Sequence, residues 1–78
     1  MTASKLAERI SRMTDEDDVR KACEHLDEHQ TVELSMALYD MFVGAMGARK
    51  AAEEYETKLL VFTSVVQGMA KRKLDENE

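Results

Sequence analysis

The stretch ELSMALYDMFVGAMG, Glu33 to Gly47, decides the fold. Advancing about 100° per residue, as an α-helix does, gathers Leu34, Leu38, Met41, Phe42 and Ala45 on one side. Val32, Met36, Tyr39, Val43 and Met46 gather on the opposite side, with Glu33, Asp40 and Gly44 in the narrow polar strip between them. A helix that is apolar most of the way round is normally buried. The spacing therefore predicts a helix from about Val32 to Met46, capped by Thr31, that needs cover on two sides. Gly44 and Gly47 bracket its end, and glycine commonly follows a helix C-terminus because it accepts positive φ without a Cβ clash. A break into a helical hairpin is preferred to one long helix, in which each glycine would cost about 1 kcal/mol relative to alanine.

Downstream, a fourth helix is expected from about Ala48 to Lys73. Ala48, Ala51, Tyr55, Leu59, Phe62, Val66 and Met69 follow steps of three and four, like a coiled-coil seam, with Lys58, Thr63, Gln67 and Lys71 mostly off it. KLLVFTSVV also has β-branched content, but helix formers flank it without a turn residue, and a lone strand would lack a partner. Residues 74–78 read as a frayed acidic tail.

Upstream, Leu6, Ile10 and Met13, with Ala3 and Ala7 beside them, predict a short first helix over residues 3–13. The second helix starts within MTDEDDVRKACEHLDEH. Thr14 is the expected cap, with Asp17 three residues on in the manner of a capping box. Asp15, Glu16, Asp17 and Asp18 then lie at the positive end of the helix dipole. Val19, Ala22, Cys23 and Leu26 make its apolar stripe.

Composition agrees with an all-α reading. The 78 residues include no proline and only three glycines, and Ala, Glu, Leu, Met, Lys and Arg lose little rotamer freedom in a helix. The expected architecture is a single domain over residues 1–78, a small bundle of three or four helices. A chain this short buries only about 60–65% of its unfolded surface, and self-association is a common remedy. A dimer through the third helix or the fourth-helix seam is therefore expected.

The net charge of −5 is unevenly spread: +2 over residues 1–13, −6 over 14–33, −1 over 34–47, +3 over 48–73 and −3 thereafter. An acidic belt suits a protein partner with a basic surface and disfavours direct nucleic-acid binding. KRK at 71–73 and the basic first helix could touch phosphates, but no aromatic is interleaved with them. The single cysteine, Cys23, fits a reducing compartment. MTASKLAERI carries charges where a signal peptide needs an apolar run, and LLVFTSVV falls far short of the roughly 20 residues of a membrane span. A cytoplasmic protein without membrane contact is expected.

Catalytic constellations are sparse. His25 and His29 are four apart, which predicts that they share one helix face, and His25-Leu26-Asp27-Glu28-His29 satisfies H-x-x-E-H, the inverted zinc-protease pattern. The pattern still lacks a third ligand and a cleft, and its bland reading is a solvated charged face. Cys23 has no base outside its own helix, no Ser-His-acid set is present, and GAMG lacks the lysine and Ser or Thr of a phosphate loop. The expectation is a non-enzyme without cofactor or metal.

Met36, Tyr39, Val43 and Met46 are left as candidates for contact with a partner or second subunit. The alternative is a central helix covered within the monomer. Asp15, Asp17, Asp18, Asp27 and Glu28 are the candidates to meet a basic surface. Acid rows can present a phosphate-like surface to a nucleic-acid-binding protein, though most acidic faces are simply solvated. RISRMTDEDDVRKACEH, with the later Tyr39, resembles at scattered positions the Hha/YmoA modulators of nucleoid proteins, which are also short, cytoplasmic and all-helical. This chain is longer at its C-terminus and more acidic. The resemblance implies a modulator of a nucleoid-associated protein. The residues themselves imply a small acidic regulator or adaptor acting stoichiometrically, of a size and charge that suit a phage or mobile-element inhibitor.

Overall fold

The computed structural model describes residues 2–47 and 53–76. Four helices follow in order: α1 (Ala3–Ser11), α2 (Glu16–Cys23), α3 (Glu28–Gly47) and α4 (Glu53–Glu76). The all-α small bundle is as expected, and no strand occurs among the described residues.

Local hydrogen bonds set the helix boundaries, and several differ from the sequence expectation; α1 stops at Ser11, two residues short of Met13. Thr2 caps α1, its hydroxyl accepting from the Lys5 N–H at 3.3 Å. Asp15, not Thr14, caps α2. Its backbone is extended and its carboxylate accepts from the Asp17 N–H at 3.1 Å. Aspartate is at least as good a cap as threonine and sits one residue nearer the apolar stripe. The second helix stops at Cys23, where the Leu26 N–H closes back on the Cys23 carbonyl at 3.1 Å.

The third helix starts four residues before the expected Val32. Asp27 and Gln30 form a reciprocal capping box: the Asp27 carboxylate accepts from the Gln30 N–H at 2.7 Å, and the Gln30 side chain accepts from the Asp27 N–H at 3.0 Å. Thr31 is therefore not the cap but lies inside the first turn, fully buried, its hydroxyl donating to the Asp27 carbonyl at 2.7 Å.

At the other end α3 runs to Gly47, one residue past the expected stop. Gly44 lies inside it, and open space surrounds the position of its missing Cβ. The expected helix-four start at Ala48, and Ala48 and Ala51 of its seam, lie outside the described residues. α4 packs back along α3, its Lys73 ammonium donating to the Leu26 carbonyl beside the start of α3. The two long helices are thus an antiparallel hairpin. The expected frayed tail is corrected over residues 74–76, which complete α4, while residues 77–78 lie outside the described set.

α1 packs on α3 and α2 on α4, so the short helices form one layer across one side of the hairpin. Between the layers, Ala7, Ile10, Val19, Cys23, Leu34, Leu38, Leu59, Phe62 and Val66 form the core. Burying a side chain of Leu or Ile size stabilises by about 1.5–3 kcal/mol. The seam of α4 is buried at Leu59, Phe62 and Val66, but Tyr55 is exposed. Thr63, expected off the seam, is also buried, between α4 and its neighbours, and its hydroxyl has no hydrogen-bond partner among the described residues.

Candidate protein-docking face

Two opposite stripes on α3 meet two different fates. Leu34 and Leu38 are fully buried, and Met41, Phe42 and Ala45 are partly buried against the core. On the other side, Met36 is 64% exposed, Tyr39 52%, Val43 44% and Met46 54%, with Val32 half-buried. Among the described residues no helix covers this side: α1 and α2 both pack on the far side of the hairpin, and α1 reaches only the edge of Met36.

α4 contributes to the same open side. Gln67 lines a shallow depression with Ser35, Met36, Tyr39 and Asp40 of α3, which places it there. Steps of three and four from Gln67 carry Leu60, Thr63, Lys71 and Leu74 onto the same side of α4. Leu60 and Leu74 are both exposed large apolar residues. Val61, Val65, Met69 and Arg72 line a groove with Arg20 of α2 that Leu60 also borders, so Leu60 stands at the outer edge of the open face. The open face is therefore two helices wide. The sequence reading missed its α4 half. The signal was the 60-63-67-71-74 spacing, hidden because the neighbouring seam of Leu59, Phe62 and Val66 is more strongly apolar.

The acidic candidates divide between the two sides of the molecule. Asp27 and Glu28 line a depression with His29 and Val32, next to one end of the open stripe. Asp15, Asp17 and Asp18 are exposed on α2, in the layer behind the hairpin. The structure does not bring these three together with Met36 and Tyr39. Two of the candidates also have work within the chain: Asp15 and Asp27 are the caps of α2 and α3. Asp17 lies 3.6 Å from Arg20, an exposed pair that contributes little. A further acidic rim was not anticipated. Glu8 of α1 and Glu33 and Asp40 of α3 surround a groove of about 510 Å³ floored by Ala7, Ala37 and Met41, with Met36 at its edge.

The H-x-x-E-H reading is corrected. His25 lies in the turn after α2 and His29 in the first turn of α3, so they do not share a helix face. The Asp27 cap starts a new helix between them. His29 instead has its Nε2 2.9 Å from the Glu33 carboxylate. Among the described residues no group of three or more His, Cys, Asp or Glu side chains is placed to hold a metal ion.

Cys23 is fully buried in the core. Burial pushes its thiol above the ordinary value, and the Lys73 ammonium pulls it part of the way back. A protonated, enclosed thiol is a poor nucleophile. No helix among the described residues is long and apolar enough to cross a membrane. Comparison with protein families, with curated proteins and with solved structures finds no match to this chain.

Proposed function

We propose that this chain is a small acidic regulator or adaptor that acts by stoichiometric protein binding rather than by catalysis. The observation that supports it is the open stripe on α3: four large apolar side chains on one helix face, each more than two-fifths exposed. A contiguous patch of this kind, on a chain with so small a core, is the mark of a contact surface. The acids supply selectivity. Asp15, Asp17 and Asp18 on α2, Asp27 and Glu28 beside Val32, and the Glu8, Glu33 and Asp40 rim all favour a partner with a basic surface. The molecule thus has an apolar face for grip and, largely on the other side, an acidic one for choice. A cytoplasmic location fits the enclosed, reduced Cys23.

Affinity capture from a host lysate at low and high salt tests this reading. Basic proteins are expected at near-equimolar yield, released by salt and lost when Asp17 and Asp18 become lysine. Capture of the same proteins by that variant, or of none by the original chain, overturns the reading.

A further inference from the structure

The open face has a shape that limits what can lie on it. Val32, Met36, Tyr39, Val43 and Met46 repeat at four, three, four and three residues, the spacing of a knobs-into-holes seam, yet no helix among the described residues faces them. Beside them runs the exposed α4 stripe of Leu60, Gln67, Lys71 and Leu74, with the buried Thr63 beneath it. A single amphipathic helix would cover one stripe and leave the other wet. A hairpin of the same width covers both.

We propose that a second copy of this chain occupies the open face of the α3–α4 hairpin, the two faces stacking about a two-fold axis into a central four-helix layer. This rests on the reading above that the face is a protein-docking surface, and it names the occupant. Three observations converge on a second copy. First, the molecule measures 43 × 21 × 20 Å, so one long side presents an area on the order of 800 Å², close to what each partner of a standard stable interface contributes. Second, the α3 stripe carries no charge, and the α4 stripe, followed at the same spacing, carries Glu53 and Glu56 toward one end and Lys71 toward the other. A two-fold axis across the middle keeps the paired ammoniums apart and sets apolar centre on apolar centre, as a self-complementary interface requires. Third, of the seven exposed large apolar residues among the described ones, six, Met36, Tyr39, Val43, Met46, Leu60 and Leu74, fall on or at the edge of this one face, and the seventh is Tyr55. The dimer leaves α1 and α2 outermost on both sides, so the Asp15–Asp18 acids are displayed twice, once per flank.

Sedimentation equilibrium across about 1–500 μM protein reads the assembly. The expected mass is twice the 8.9 kDa of the chain. Because Tyr39 and Val43 are exposed in the monomer, Tyr39→Glu with Val43→Glu leaves the helical circular dichroism intact and weakens the dimer by about 100-fold or more, the usual scale for charge placed at an interface centre. Glu24→Gln, on the outer layer, leaves the mass unchanged. A chain that stays at monomer mass at the highest concentration, or a dimer indifferent to both glutamates, overturns the proposal. So does a monomer that cosediments with phospholipid vesicles through these residues, or one whose lysate partner is lost with Tyr39→Glu, since either outcome names another occupant. Lysate capture that depends on Asp17 and Asp18 in a strictly monomeric chain leaves the regulator reading standing and removes only the dimer. A dimer that captures nothing removes only the regulator.

Discussion

The ammonium of Lys73 lies 3.2 Å from the hydroxyl of Thr31 and also donates to the Leu26 carbonyl, tying the last turns of α4 to the first turn of α3. Thr31 passes the chain of bonds on by donating to the Asp27 carbonyl. One cation thus joins the helix-capping turn, the buried threonine and the far end of the hairpin.

Removing that cation tests the tie. Lys73→Met keeps most of the aliphatic stem and deletes the charged donor. The expected loss is about 1.5–3 kcal/mol, the range for a hydrogen bond from a charged group. Urea denaturation measures it, and Lys5→Met, at an exposed site on α1, is the control that stays near zero.

Capping gives a sharper contrast. Asp15→Ala and Asp27→Ala should each lose about 1 kcal/mol, because each leaves an amide at a helix start without its acceptor. Thr14→Ala should change stability by less than about 0.5 kcal/mol. Thermal melts of the three variants rank them. A loss at Thr14 equal to that at Asp15 would contradict the observed cap.

Legibility in the sequence follows the range of the interactions involved. The sidedness of α3 could be read because a helix wheel depends only on spacing, and Leu34 and Leu38 are buried while Met36 and Tyr39 are exposed, as the wheel divides them. The α3 start could not. Thr31 has the chemistry of a cap, and only the Asp27–Gln30 box together with the distant Lys73 explains why it is pulled inside the helix instead. The same box undid the histidine pair, since a helix break between His25 and His29 leaves no mark in H-x-x-E-H itself. For the candidate face, the α3 half was visible as spare apolar surface. The α4 half needed the layer arrangement, which tells Leu60 and Leu74 apart from the buried seam beside them.

Buried Thr63 makes a prediction in the other direction. Its hydroxyl has no partner among the described residues, so the folded state carries a desolvated polar atom. Thr63→Val removes the atom and keeps the shape. Stability should rise by about 1 kcal/mol, against the usual direction of core substitutions. Calorimetry on the pair of proteins decides it.

Cys23 sets an alkaline limit. Its thiol is raised in the folded chain, chiefly by burial, so the folded state holds its proton where the unfolded state releases it. The stabilisation is complete below the ordinary thiol range near pH 8.5 and is lost as pH climbs through the raised value. Stability measured by urea between pH 7.5 and 9.5 should fall, and Cys23→Ala, less stable throughout, should show a flatter slope.

Two thioethers, those of Met36 and Met46, stand unsheltered on the open stripe of α3. A peroxide that adds one oxygen to each converts a greasy ridge into a polar one without touching the core, and sulfoxide reductases reverse the change. The stripe proposed as the contact surface therefore carries two exposed sites for reversible oxidation.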